Sequence, residues 1–174
     1  MSHTTGTRPT PVPTVRVRWA WHWGAGLILL ATAAVLLTVY EGLPDPYPMH
    51  HSLTGVADGF ASKGHVVVFL PTVIGAVLVG ALAATNTVLA RSLRTRSERP
   101  VGRYDHLDLT GKSTPESVAA LGPVNLLLAV ILSGVSLLPV IGPLAGTGMI
   151  WGGIALLIAV IAVQSVRARR QQHS

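Results

Sequence analysis

Three long runs without charged residues constrain what this chain can fold into. They cover residues 19–40, 66–90 and 117–166, which are 22, 25 and 50 residues long. An apolar, uncharged run of about 18 residues or more is long enough to cross a bilayer as a helix. A soluble domain would instead scatter its charged residues over its surface. The sequence therefore predicts an integral membrane protein, and it argues against a soluble globule, a coiled coil or a disordered chain.

The longest run must be divided, because one membrane-spanning helix needs only about 20 residues. Proline interrupts helical hydrogen bonding and glycine permits a tight turn. Such residues cluster near the middle of the run: Pro139, Gly142, Pro143 and Gly146. We therefore expect spans at about 117–138 and 144–163. The predicted fold class is all-α, with four transmembrane helices forming two helical hairpins over residues 19–90 and 117–166.

The basic residues predict the topology of these spans. Twelve of the thirteen lysines and arginines fall on one side of a four-span model, and Lys63 lies alone on the other. Basic residues in short loops stay in the cytoplasm. We therefore expect a disordered, proline-containing cytoplasmic tail at 1–18, a basic cytoplasmic loop at 91–116 and a basic cytoplasmic tail at 167–174, so that both termini are cytoplasmic.

The loop at residues 41–65, between the first two spans, is unusually long. Connections in helix bundles usually have about two to eight residues. Alternating prolines favour an extended start, and Gly55 and Asp58-Gly59 favour turns. We therefore expect a long structured loop on the outer side of the membrane, within the first helical hairpin.

Spaced residues in this loop also carry a family resemblance. They are Pro48, His50, Gly55, Asp58, Phe60 and Lys63. This pattern, followed by Leu70-Pro71, resembles the signature of a bacterial membrane family known as domain of unknown function 1648. His51 and Ser52 depart from the family pattern. The family includes SdpI-type membrane proteins, which protect a producing cell from its own secreted killing peptide. The resemblance thus implies an immunity or sensing role in the bacterial cytoplasmic (inner) membrane.

Three interpretations of the loop remain open. In the first it is a structural cap, in which imidazoles and carboxylates bond to one another and Lys63 pairs with Asp58 or Asp45. In the second it is a recognition surface for a ligand or peptide, with Tyr47, Met49 and Phe60 as apolar anchors. Both of these interpretations assign a role to the signature residues of the loop.

The third interpretation is a zinc or copper site, since imidazole and carboxylate groups suit these ions. Its candidate ligands are His50, His51, Asp58 and His65. Adjacent histidines rarely chelate one ion cleanly, and the spacing is irregular. We therefore expect neither a metal nor any other cofactor.

Small residues at helical spacing mark where transmembrane helices approach closely. On this basis we expect Ala76 and Gly80, together with Gly148 and Gly152, to pack against neighbouring helices of the bundle. A homodimer through the last two glycines is the alternative. The polar residues Asn86 and Asn125 also lie inside spans, where an interhelical hydrogen bond or a transport path would account for them.

The remaining patterns argue against catalysis. The chain has no cysteine, and no nucleophile–base pair can be assembled from its sequence. Its net charge of +6 lies beside the apolar runs, which favours a lipid bilayer over nucleic acid as its partner. We therefore expect a non-enzymatic membrane protein whose outer loop recognises an envelope ligand, such as a secreted peptide or another membrane protein. The alternative is a small transporter or transporter subunit.

Overall fold

The computed structural model describes residues 16–97 and 115–172, with the side chains of 16–95 and 115–166. Most of the predicted N-terminal tail and of the predicted basic loop therefore lies outside the described residues. The elements, in chain order, are α1 (Trp19–Val39), a 3-10 turn (Tyr40–Gly42), β1 (Tyr47–His51), β2 (Ala57–Ala61), α2 (His65–Ser97), α3 (Pro115–Ile141) and α4 (Pro143–Gln172).

All four helices are long and apolar enough to cross a membrane. Because water is absent from the hydrocarbon core, a spanning segment must satisfy its own backbone hydrogen bonds, as a helix does. The chain is therefore a multi-pass membrane protein, and its described residues contain four transmembrane helices, which confirms the predicted fold class. The connection between α1 and α2 contains a short two-stranded sheet, which confirms that the long loop is structured.

Several boundaries differ from those expected. α2 continues through residues 91–97, and α4 continues to Gln172, so parts of the predicted basic loop and C-terminal tail are helical. Pro139 lies inside α3 and does not end it. Transmembrane helices tolerate such prolines because neighbouring groups satisfy the freed carbonyl. Only Gly142 separates α3 from α4, and its φ of 83° is the left-handed conformation that ends many helices.

α3 is the central helix of the bundle, because it packs against α1, α2 and α4. Its buried positions recur every three or four residues and include small and polar side chains: Gly122, Asn125, Ala129, Ser133 and Ser136. Two hydroxyl pairs join it to its neighbours, Thr32 with Ser133 at 2.8 Å and Thr72 with Ser136 at 3.0 Å. A polar seam therefore runs along the interior of the bundle.

The predicted small-residue packing within the bundle is wrong. Ala76, Gly80, Gly148 and Gly152 are all exposed. A Cβ atom added at any of these three glycines would meet nothing within 4 Å. Successive helical residues point about 100° apart, so neighbouring glycines face the bundle instead. These glycines, which lie one or two residues from the predicted positions, are Gly75, Gly146 and Gly153. A homodimer through Gly148 and Gly152 stays a prediction.

Candidate functional site

Strands β1 and β2 form an antiparallel hairpin, called here the β-hairpin, at residues 47–61. Its turn closes through the Ser52 N–H, which donates to Val56 O at 2.8 Å, and the Gly55 N–H, which donates to Ser52 O at 2.9 Å. Gly55 has a φ of 83°, which explains why a glycine occupies this position of the signature. We call the end of the bundle that carries the β-hairpin the hairpin end, and we call the opposite end the far end.

One side of the β-hairpin is anchored in the bundle by Tyr47. Its ring is buried in a cluster with Leu36, Leu43 and Val68. This burial raises the pKa of the Tyr47 phenol. Pro48, which pairs with Phe60 in the strand register, is buried as well. The expectation that Tyr47 is an anchor for an external partner is therefore wrong: it holds the β-hairpin to the helices.

Three other signature residues of the β-hairpin, His50, Asp58 and Phe60, have exposed side chains. The His50 Nδ1 atom lies 2.5 Å from Asp58 Oδ1 on the opposite strand, and Phe60 is 60% exposed on the same side as Asp58. Gly59 lies beneath the histidine, since a Cβ there would come within 2.8 Å of His50 Cβ. The pair therefore bridges the two strands where the solvent screens its attraction.

Lys63 joins the end of α1 to the start of α2. Its Nζ donates to Glu41 O at 3.2 Å and to Leu43 O at 3.1 Å, while its backbone N–H donates to Asp45 Oδ1 at 3.1 Å. The expected side-chain pairing of Lys63 with Asp58 or Asp45 is therefore corrected. Carbonyls beyond a helix end lack intrahelical donors, and the lysine supplies them with a charged one.

The turn of the β-hairpin docks on the N-terminal end of α4. A Cβ at Gly55 would collide with the Thr147 hydroxyl and lie 3.2 Å from Pro143. Beside it, the Trp151 Nε1–H donates to Leu53 O at 3.2 Å. The β-hairpin is thus held by both helical hairpins, although nothing in the loop sequence indicates a contact with residues almost one hundred positions away.

An apolar groove of about 260 Å³ lies between β1 and the helices. The helical walls are apolar side chains such as Leu70, Ile74 and Leu132, and β1 contributes four residues: Tyr47, Pro48, Met49 and His51. Burial lowers the pKa of His51, an effect that Asp58 opposes and His50 reinforces. The groove therefore combines apolar walls with one imidazole that is neutral at pH 7.

Only two of the four metal-ligand candidates come together. His50 pairs with Asp58, whereas His51 lines the groove and the His65 ring stacks on Tyr40 with 4.3 Å between centroids. Among residues 16–95 and 115–166, no group of three or more His, Cys, Asp or Glu side chains is placed to hold a metal ion.

A buried polar cluster, absent from the sequence-based expectations except for its two asparagines, joins α1, α2 and α3. His22 Nε2 lies 2.9 Å from the Asn86 amide, and His22 Nδ1 lies 2.7 Å from Asn125 Nδ2. Histidine is counted as neutral at pH 7, so His22 did not interrupt the uncharged run that predicts the first span. A sequence signal was nevertheless present, because a polar or ionisable residue inside a span usually faces the interior of the bundle, as His22 does.

The hydrogen bonds of this cluster fix its protonation pattern. A neutral imidazole has one N–H and one acceptor nitrogen. Asn125 Nδ2 also donates to Val79 O at 3.2 Å, so it is this amide that donates to His22 Nδ1. The hydrogen of a neutral His22 is then on Nε2. The structure places Asn86 Nδ2 at this nitrogen, so the pattern requires the Asn86 amide to be turned by 180°, which gives its otherwise unpartnered Oδ1 a donor.

Comparison with known proteins supports the family resemblance. Residues 27–75 match the family model described as Domain of unknown function (DUF1648). The matched range contains most of α1, the whole β-hairpin, Lys63 and the first turns of α2. The chain matched none of the curated proteins and none of the solved structures with which it was compared. The predicted resemblance is therefore confirmed: the segment that builds the β-hairpin and the adjoining parts of α1 and α2 is similar to the family described as domain of unknown function 1648.

Proposed function

We propose that this protein is a non-enzymatic protein of the bacterial inner membrane whose β-hairpin recognises an envelope ligand or peptide, in an immunity or sensing role. The observation that carries the proposal is the combination of exposed apolar side chains on the β-hairpin with an apolar groove beside it. Leu53 is 79% exposed and Phe60 is 60% exposed, and Met49 and Val56 are exposed as well.

Such a surface suits recognition for an energetic reason. Exposed apolar side chains gain most when a partner removes them from water, at about 25 cal/mol per Å². They are held on a framework that is already rigid, because Tyr47, Gly55 and Lys63 fix the β-hairpin on three sides. Preorganisation of this kind reduces the entropy lost on binding. The signature residues then serve mainly to hold the surface in shape, which combines the cap and recognition interpretations.

The proposal requires the β-hairpin to face outward. Among the described residues, Lys63 is the only lysine or arginine near the hairpin end, whereas the other twelve basic residues of the sequence fall in 1–18, 91–116 and 167–174, which adjoin the ends of the spans at the far end. The positive-inside rule then makes both termini cytoplasmic. A reporter inserted near Gly55 should be outside the cytoplasm, and one fused after Gln171 should be inside. A cytoplasmic reporter at Gly55 would contradict this orientation.

One observation favours the alternative, a small transporter or transporter subunit. The cluster of His22, Asn86 and Asn125 is polar, buried and shared by three spans, and polar groups inside spans often mark substrate paths. Solute flux into liposomes that is lost in Asn125→Leu and unaffected by Phe60→Ser would support transport against recognition.

Selection from a library of random 12-residue peptides tests the proposal directly. The protein would be presented in lipid nanodiscs, and selected peptides would be titrated against variants. Binding should be weakened at least tenfold by Phe60→Ser. The matched control is Leu144→Ser, which removes a 92% exposed apolar side chain at the same end of the bundle. Peptides that bind both variants as tightly as the parent protein would contradict recognition by the β-hairpin.

A further inference from the structure

We propose that the far end of the bundle contains a specific binding site for the headgroup of an anionic phospholipid. The site, called here the basic pocket, lies between the segment that leads into α1 and the last turns of α2. Its polar and aromatic lining consists of Arg16, Trp19, Thr87, Arg91 and Arg94. This proposal does not depend on the function of the β-hairpin.

The chemistry of the basic pocket suits a phosphate group. Its volume is about 400 Å³, and all three charged residues in its lining are arginines. A guanidinium group presents paired N–H donors that match two phosphate oxygens. Thr87, Arg91 and Arg94 follow one another at four- and three-residue steps, so they share one face of α2. Thr87 adds no donor, because its hydroxyl donates to Ala83 O at 2.9 Å, so the charged donors among the described lining residues are the arginines, beside the indole of Trp19.

The position of the basic pocket along the helices is that of lipid headgroups. Arg91 follows the start of α2 by about 39 Å at a rise of about 1.5 Å per residue, whereas the hydrocarbon core is about 30 Å thick. Trp19 is the first residue of α1 and is 48% exposed. Tryptophan concentrates at the membrane–water interface. The three guanidinium groups therefore lie at the level of the phosphates of one leaflet.

An apolar surface next to the basic pocket indicates a lipid rather than a free phosphate. Trp19, Trp23, Leu27 and Leu30 recur at four- and three-residue steps on α1, and all are exposed. They form one strip that leads from the basic pocket toward the middle of the membrane. An acyl chain can lie along this strip while its headgroup occupies the basic pocket, whereas inorganic phosphate would gain nothing from it.

Native mass spectrometry of the full chain, purified and delipidated, tests the proposal. The probes are phosphatidylglycerol, phosphatidylcholine and inorganic phosphate. We expect phosphatidylglycerol to bind more tightly than phosphatidylcholine. Each of Arg16→Gln and Arg91→Gln should weaken the binding of phosphatidylglycerol about fivefold. A basic residue near an anionic membrane surface contributes about 1 kcal/mol, which corresponds to about fivefold in affinity. Arg91→Lys, which keeps the charge but not the paired donors, should recover only part of the loss.

The matched control is Arg18→Gln, because Arg18 is exposed, lies two residues from Arg16 and does not line the basic pocket. It should change affinity less than twofold. Equal losses for Arg18→Gln and Arg16→Gln would show diffuse charge attraction and overturn the site. Equal binding of the two lipids would overturn it as well, and competition by inorganic phosphate at the lipid's own concentration would identify a free anion site instead. Thermal melting in detergent confirms that each variant is folded.

Discussion

The replacement of Gly55 by alanine should undock the turn of the β-hairpin from α4. Alanine at a φ of 83° costs about 1–2 kcal/mol. The new Cβ would also collide with the Thr147 hydroxyl and press on Pro143, and overpacking costs about 1–3 kcal/mol more. We therefore expect Gly55→Ala to destabilise the docked state by about 2–5 kcal/mol, the sum of these two contributions.

Gly142→Ala separates the two contributions to this cost. Gly142 has the same φ of 83°, but a Cβ there would meet nothing within 4 Å. It should therefore show only the conformational cost of about 1–2 kcal/mol. Gly42→Ala, with neither a positive φ nor a close neighbour, should be almost neutral. Reversible unfolding in mixed micelles, followed by circular dichroism, gives the three free energies of unfolding.

The β-hairpin can also undock locally at a lower cost than global unfolding, so a local probe is needed. Trp151 provides it, because its Nε1–H donates to Leu53 O in the docked turn. In a background in which the other three tryptophans are phenylalanine, Trp151 emission should shift in Gly55→Ala and remain unchanged in Gly142→Ala. Equal free energies for the two variants, together with unchanged Trp151 emission, would refute the docked arrangement.

Three further predictions concern the bundle and the groove. Gly153→Ala should destabilise the protein by about 1–3 kcal/mol, because its Cβ would come within 2.5 Å of Ile131 Cγ1. Gly152→Ala, at the neighbouring position, should be neutral or slightly stabilising in thermal melting. If Gly152→Ala were the more destabilising of the two, the opposite face of α4 would face the bundle. Asn125→Leu should cost about 1–3 kcal/mol in reversible unfolding, since two interhelical hydrogen bonds are lost and each contributes about 0.6–1.7 kcal/mol in a membrane. Because burial lowers the pKa of His51, the unfolded chain takes up a proton before the folded chain does as the pH falls below about 6.5. Docking of the β-hairpin, measured by its amide hydrogen exchange, should therefore be full above this pH and weaken below it. His51→Asn should remove that pH dependence.

The membrane spans could be predicted from the sequence because one physical quantity, the bilayer thickness, sets their length. The turn at Gly55 was also predictable, since a glycine and polar neighbours suffice to indicate it. The partners of Lys63 were not, because a carbonyl at a helix end is indistinguishable in sequence from any other. A carboxylate nearby in the chain was the natural but incorrect expectation for this lysine.

The helix faces were harder to predict than the helices. Gly152 and Gly153 are adjacent, and only one of them faces α3. Periodicity alone does not decide which, because lipid and a neighbouring helix are both apolar surroundings. His22 was missed for a related reason: a neutral imidazole does not interrupt an uncharged run, although its partners Asn86 and Asn125 were recognised as polar positions inside spans. Only the three-dimensional packing brings these residues together.

The central claim, that the β-hairpin is a recognition surface, is tested most directly by photo-crosslinking in intact cells. A photoreactive benzophenone side chain would be placed at Phe60 and, as the control, at Leu144, which is more exposed at the same end of the bundle. We predict a discrete peptide or protein adduct at Phe60 that is absent at Leu144 and is reduced by Asp58→Ala, which removes the bond to His50 across the strands. Identical adducts at both positions, consisting of lipid alone, would contradict the account.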